Sequence, residues 1–425
     1  MTQFHQIALL YVCLGAVVIL INFYWHSRFR QMLRRTTCSP TGVRREPRAL
    51  VVLSLRGADP DLGETLFRLT QQSFSNFTLR VIIDSEQDPA WTAVNAFLKL
   101  EHRPVTEIQI LTRRLKTCSL KASALIQAMS KLEPEYDVVV QLDADALPYP
   151  NWLKEMLAPF QDSRVGAVSG LRWYVPESAN WATRVRQIWG SGAMVQMYIC
   201  GMAWGGSLAM SRKLLERGQV LQYWSNCLSE DLALNVPMKI SGLDLAFVPA
   251  VLTNREQTDF ASCFEFIRRQ IFMARWHHDQ WPLIASVTWL MIISTLVGFS
   301  GLIMALSHAA WWSAALMLLL LKCNAYLYGK ALTVTESEIR TRLSMQGEEI
   351  PPIGMSYQTA ISSTALIFSA CFISANLIRR IIWRGVEYEV VGRGHFHMVT
   401  DFNQPISDAK QTEVPIRKKQ LTRSN

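Results

Sequence analysis

The sequence predicts an α/β fold, a doubly wound and mostly parallel sheet, joined to transmembrane helices. Three observations predict it. Four short runs, Ala49–Leu55, Leu79–Asp84, Glu107–Thr112 and Asp137–Leu142, are almost continuously apolar and rich in Val and Ile, the pattern of strands buried on both faces. Helical periodicity fills the gaps. Leu62, Leu66 and Leu69 share one face of Pro60–Phe74, and Leu125, Ala128, Met129 and Leu132 share one face of Ser119–Leu132, so strands and helices alternate. Long apolar runs flank this region at Ile7–Trp25, Leu283–Leu306, Ala309–Tyr328 and Thr359–Ile378, each near the ~20 residues that cross hydrocarbon.

The first run reads as an uncleaved anchor. Met1–Gln6 holds no Lys or Arg, and no small-residue cleavage site follows, unlike a signal peptide. Arg28, Arg30, Arg34 and Arg35 follow instead, which sets that side toward the cytoplasm. The organisation is then an anchor over 1–35, an α/β domain over 36–264, an interfacial amphipathic segment over 265–282, a second membrane region over 283–385 and a basic tail over 386–425. Cys38–Arg48 is a polar linker. Lys322 interrupts one apolar run and can snorkel near a helix end. Three later crossings would put Arg379, Arg380, Arg384, Lys418 and Lys419 outside. The conflict predicts that one late segment re-enters or lies in the interface, around Glu348–Ser356.

The net charge of +9 is mostly juxtamembrane and C-terminal, which suits anionic lipid. No basic face with interleaved aromatics argues for nucleic acid. The eight cysteines, Cys13, Cys38, Cys118, Cys200, Cys227, Cys263, Cys323 and Cys371, have no metal-ligand spacing and fit a reducing compartment rather than a disulfide framework.

The chemistry-bearing residues cluster at strand ends. Asp143 and Asp145 directly follow an apolar run, and residues i and i+2 of an extended chain point the same way. Two such carboxylates make a hard-oxygen site for Mg²⁺ or Mn²⁺, which also binds substrate phosphates. Asp84 ends an earlier strand and could equally cap a turn. In a doubly wound sheet, ligands sit at these ends. Glu230 and Asp231 open a helix after Ser229. The helix dipole alone favours carboxylates there, and a general base fits as well. Trp204–Leu215 sets Gly205 and Gly206 before a helix, where glycine allows close backbone approach to a ligand. Lys121 opens another helix and can meet a phosphate. Phe266–Trp281 combines Arg, aromatic and apolar residues at helical spacing, as an interfacial helix does. Its Arg275 and Trp276 can also line a phosphate cleft.

In this order the pieces resemble the membrane-bound glycosyltransferases of family 2, and within them the ceramide glucosyltransferase group. The resemblance rests on "LRGADPDLGETL", "VIIDSEQDPAW", "DAD", "GGSLAMSRKLL", "SEDLAL" and "WRGVEY". It implies a GT-A type domain and an inverting, metal-dependent transfer of a hexose from a nucleotide sugar, UDP-glucose favoured, to a membrane lipid hydroxyl such as ceramide. Asp84, Lys121, Asp143 and Gly206 would bind the donor. Asp143 and Asp145 would hold Mg²⁺ or Mn²⁺. Asp231, with Glu230, would supply the base, and Arg275 and Trp276 the closing motif. The implied partners are the donor, the lipid acceptor and the bilayer. The implied location is a multi-pass membrane protein with the domain facing the cytoplasm, in a bacterial inner membrane rather than the Golgi. Two departures stand out. Phe272 occupies the motif's leading Gln or Arg position, with Arg269 and Gln270 close by, and no Lys–Pro precedes the Gly57–Pro60 loop. The alternatives are a processive polysaccharide synthase, which would carry Gln there and more crossings, and an inactive relative that binds lipid or a partner enzyme.

Overall fold

The computed structural model describes residues 3–35, 46–175, 180–348, 350 and 356–400. Most of the linker Cys38–Arg48, most of Glu348–Ser356 and the tail beyond residue 400 lie outside the described residues. Helix α1 (Gln3–Leu33) comes first. Strands β1 (Ala49–Leu55), β2 (Phe77–Ile83), β3 (Val105–Ile110) and β4 (Val138–Leu142) follow, separated by α2 (Leu62–Thr70), α3 (Trp91–Leu98) and α4 (Leu120–Met129). Next come α5 (Trp152–Leu157), β5 (Val165–Tyr174), α6 (Trp181–Cys200) and β6 (Ser207–Ser211). Four short helices, α7 (Arg212–Arg217), α8 (Val220–Trp224), α9 (Glu230–Ala233) and α10 (Asn235–Ser241), lead to β7 (Asp244–Asn254). The chain continues through α11 (Phe260–His277), α12 (Trp281–Ser307), α13 (Trp311–Met345) and α14 (Ser356–Leu377), then β8 (Arg380–Trp383), β9 (Val386–Gly392) and β10 (His395–Met398).

The main sheet has the order β3-β2-β1-β4-β6-β5-β7. β1 pairs parallel with β2, Ala49 opposite Phe77, and with β4, Ala49 opposite Val138. β6 runs antiparallel to β4 and β5. Period-two alternation splits the apolar residues of β1 between two layers. Val51 and Leu53 face Leu62, Leu66 and Leu69, whereas Leu50 and Val52 face Leu125 and Ala128. Helix starts are fixed by side-chain caps: Ser119 accepts from the Ala122 amide, Asn180 from Thr183 and Asp259 from Ser262. Each such cap stabilises its helix by ~1 kcal/mol.

Among the described residues three helices, α1, α12 and α13, are long and apolar enough to cross a membrane. Small residues let them approach closely: a Cβ on Gly298 would lie 2.7 Å from Tyr11, and one on Gly301 2.5 Å from Met317. At its far end α13 docks on the α/β domain, where Arg342 donates to Glu155 at 2.5 Å and to the Pro249 carbonyl at 3.0 Å. The next residues stay there, since Glu348 pairs with Arg68 of α2. The fourth apolar run forms α14, which is 22 residues long. It packs along α6 and α11, with Ile361 against Ile188 and the Cys371 thiol on the Phe264 carbonyl.

The segment expected as a basic tail from residue 386 begins as a sheet. β8, β9 and β10 form an antiparallel three-stranded unit. It is tied to the α/β domain by Met398 donating to the Lys116 carbonyl at 2.7 Å and the Leu120 amide donating to Tyr388 at 3.2 Å.

Candidate active site

Strand order reverses between β1 and β4, and a cleft of about 650 Å³ opens beyond their carboxyl ends. That is where an open α/β sheet accommodates ligands. Asp84 directly follows β2 and Asp143 follows β4. Asp84, Lys121, Asp143, Asp145, Glu230 and Asp231, far apart in sequence, all line this one cleft.

Lys121 is its hub. The ammonium donates to Asp143 at 2.6 Å, lies 2.8 Å from Glu230 and reaches the Gly205 carbonyl at 3.4 Å. Burial alone would raise the Asp143 carboxyl, but the adjacent Lys121 charge holds it below its ordinary value. Asp145 has no such ammonium. Burial, then the neighbouring Asp143 and Asp59, push it up to about 6, although its Oδ2 accepts from Asn254 at 2.8 Å. Asp84 is held by Arg56 and, at 3.1 Å, by Arg114.

Asp231 sits at the inner wall. Its Oδ2 accepts from the Gly205 amide at 2.8 Å, and its Oδ1 from the Leu232 amide at 2.8 Å and from the Ser229 hydroxyl. Ser229 therefore stands at the start of α9 without capping it; its hydroxyl orients Asp231 instead. Glu230 is 2% exposed. Burial raises its carboxyl to about 7, with Asp231 adding to the rise and Lys121 opposing it. On its other side Asp231 lines a second cavity, an apolar groove of about 110 Å³ bounded by Met197, Trp281, Ile284, Phe368 and Phe372. This groove starts at the first turn of α12 and runs beneath α14.

Gly206 is packed differently from expectation. A Cβ there would lie 2.2 Å from Trp204 and 2.6 Å from Asp143, and one on Gly205 would lie 2.4 Å from Glu230. The close approach these glycines permit is to the protein's own site residues. Arg275 and Trp276, expected beside a phosphate, lie outside the cleft lining. The Arg275 guanidinium donates to the Ala375 and Asn376 carbonyls at 3.1 and 2.8 Å, closing the end of α14. The helix explains it. Phe266, Arg269, Gln270 and Met273 make the i, i+3, i+4, i+7 stripe that faces the cleft, so Phe272, fully buried, and Arg275 fall on other faces.

The cleft also takes residues that the sequence reading did not place in it, among them Arg56, Asp59, Arg172, Arg269 and Arg384. Arg172 lies inside β5 with its guanidinium over Tyr174, Trp204 and Phe266 at 5.0, 5.6 and 5.4 Å. Arg269 rests over Phe266 and Trp383, and burial beside Arg384 pushes its guanidinium down to about 10. Asp59 and Arg384 pair with each other across the mouth. Both stand in stretches that carry the resemblance, the Gly57–Pro60 loop and "WRGVEY".

The donor set fits a hard divalent cation. Asp143 and Asp145 both offer carboxylate oxygens to the cleft. Two carboxylates leave the remaining positions to water and phosphate oxygens, as Mg²⁺ requires. Among the described residues no cluster of three His, Cys, Asp or Glu side chains offers an all-protein cage.

Two solved structures are similar to this chain to different degrees. A mannosyltransferase from Pyrobaculum calidifontis, in complex with GDP-Man and Mn²⁺, aligns with TM-score 0.53 and 19% identity over 85% of this chain and 99% of that one. Glucosyl-3-phosphoglycerate synthase from Mycobacterium tuberculosis, in complex with Mn²⁺, UDP and phosphoglyceric acid, aligns with TM-score 0.37 and 14% identity over 53% of this chain and 78% of that one. The first of these likenesses supports the GT-A fold. A search of curated proteins finds no match. The family model that matches is the one described as glycosyl transferase family 21. Its match runs over residues 9–395, and the chain therefore belongs to glycosyl transferase family 21.

Proposed function

We propose that this protein is an inverting glycosyltransferase that moves a hexose from a nucleotide sugar, UDP-glucose favoured, to the hydroxyl of a membrane lipid such as ceramide. One observation carries the reading: Asp231 lines both the polar cleft and the apolar groove that opens at α12 and α14. A nucleotide sugar suits the first and an acyl-bearing alcohol the second, and a base at their junction touches both substrates.

The residues divide the work accordingly. Asp84 and Lys121 bind the donor, and Asp143 and Asp145 hold Mg²⁺ or Mn²⁺ with the diphosphate. When bound, that ion neutralises charge on the departing diphosphate. Asp231 accepts the proton of the lipid hydroxyl. The hydroxyl oxygen bonds to the anomeric carbon as the bond to the diphosphate oxygen breaks on the opposite face. Ser229 and the Gly205 amide hold Asp231 in place for this. Glu230, paired with Lys121, positions the ammonium rather than the acceptor.

Crossings by α1, α12 and α13 alone would leave the α/β domain and β8–β10 on one side. The arginines at 28, 30, 34 and 35 support a cytoplasmic side for the domain, in our reading that of a bacterial inner membrane rather than the Golgi. The parity conflict then disappears, because α14 lies along the domain.

The test offers purified protein a panel of UDP- and GDP-hexoses with ceramide, sterol and diacylglycerol acceptors, and weighs the product by mass spectrometry. One added hexose on a lipid is expected. A ladder of sugars would favour a polysaccharide synthase, and no product with any donor an inactive relative.

A further inference from the structure

We propose that Arg384, carried on the turn between β8 and β9, grips the diphosphate of the nucleotide sugar. The assignment rests on the donor reading above and names a residue that the closing motif of α11 does not supply.

The turn itself is the first observation. Trp383 pairs with Val386, so Arg384 and Gly385 form a two-residue hairpin turn, with φ of 48° and 75°. Asn and Gly fill such I′ turns readily. A left-handed backbone costs a residue bearing a Cβ roughly 1–2 kcal/mol. Hairpin stability alone does not select an arginine here.

The turn is also clamped over the cleft. Arg56 Nε donates to the Arg384 carbonyl at 3.1 Å, and Arg384 Nη1 donates to the Arg56 carbonyl at 3.1 Å. Arg384 Nη2 donates to both Asp59 oxygens, at 2.8 and 3.1 Å. Trp383 and Tyr388 line the cleft beside it. The guanidinium is thus fixed at the mouth, facing the cavity that holds Asp143 and Asp145.

Availability decides among the cleft cations. Lys121 is 17% exposed and held by two carboxylates. Arg56 is paired to Asp84, Arg186 is 3% exposed and paired to Glu256, and Arg172 and Arg269 lie among aromatic rings. The Arg384 side chain is 45% exposed, and Asp59 is its one carboxylate partner among the described residues. A guanidinium fork can give two parallel N–H donors to a phosphate. Asp59 holds that fork ready before the donor arrives. Arg275 cannot serve, because it is bound to the end of α14.

The experiment measures binding of UDP and GDP, each with Mn²⁺, and of the bare nucleosides, to the full-length protein in nanodiscs by calorimetry. For R384A the expected result is diphosphate binding weakened about tenfold or more, the scale of a charge-assisted pair, with nucleoside binding unchanged. R384K falls between, keeping the charge without the fork. D59N binds the diphosphate at least as tightly as the native chain. In turnover the donor KM rises for R384A while the acceptor KM does not. Native binding of UDP or GDP that R384A leaves unchanged overturns the assignment and spares the donor reading. A native protein that binds neither diphosphate overturns both. Should R384A lose the nucleoside too, R384K decides: weakened diphosphate binding with the nucleoside intact supports the role, and no weakening removes it.

Discussion

The Lys121 ammonium lies 2.6 Å from Asp143 and 2.8 Å from Glu230, joining the end of β4 to the first turn of α9. One cation thereby ties the strand end that bears Asp143 to the loop that bears Glu230 and Asp231. Removing it leaves the buried Glu230 and the partly buried Asp143 uncompensated, and stranding a buried charge typically destabilises by about 3–5 kcal/mol. K121M is expected to unfold at markedly lower denaturant than native protein and to lose turnover. K121R should recover most of the stability. A K121M chain as stable as native would show that the two acids do not depend on this lysine.

Asp231 is assigned the proton. D231N keeps the side chain's shape and should keep the Gly205 amide bond, but it has no basic oxygen to offer. Turnover is expected to fall ~10²- to 10⁴-fold, the range for a general base, with UDP binding within about twofold of native. Radiolabelled donor assays on purified membranes measure the first and calorimetry the second. Equal rates would remove Asp231 from its role.

Glu230 gives a pH signature. Its folded carboxyl is raised from the ordinary 4.5 to about 7, so the folded protein binds that proton more tightly than the unfolded chain does. The corresponding stability is complete below about pH 4.5 and is lost as pH rises through about 7. The amount is at most on the order of 3 kcal/mol. Native protein should therefore lose stability relative to E230Q between pH 5 and pH 8. Parallel pH profiles for the two chains would contradict this.

The apolar groove is assigned to the acceptor. Ala193 lines it on α6. A193W should fill it, raising the acceptor KM about tenfold or more, equivalent to ~1.4 kcal/mol, with UDP binding unchanged. A donor affinity that moves with the acceptor KM would instead mean that the groove is part of the donor site.

Arg275 provides a contrast with the family pattern. R275A removes two hydrogen bonds to carbonyls at the end of α14 and should cost about 1–3 kcal/mol of stability. Donor KM should stay within about twofold. A large rise in donor KM at unchanged stability would return Arg275 to the cleft.

Much of the fold was legible because β1, β2 and β4 are buried on both faces, which leaves almost no polar residue in them. The acids were legible because Asp84 and Asp143 end such runs. Arg172 was not, since it breaks the apolar pattern of β5 and is stabilised there by rings of Tyr174, Trp204 and Phe266 that lie up to 94 residues away. Arg384 was read as membrane-side charge because nothing local says that the hairpin folds back onto the β1–α2 loop some 330 residues earlier. Arg275 misled for the opposite reason. Its spacing matches the motif nearly everywhere, yet Phe272 turns that face of α11 into the core, leaving Arg269 and Gln270 toward the cleft.

The β8–β10 sheet follows every apolar helix in the chain, yet it supplies Trp383, Arg384 and Tyr388 to the cleft. In the proposed topology a ribosome would release those residues only after α12 and α13 had emerged toward the membrane. Nascent chains would thus reach the bilayer with an unfinished pocket, and competence for sugar transfer would arise only once insertion is over.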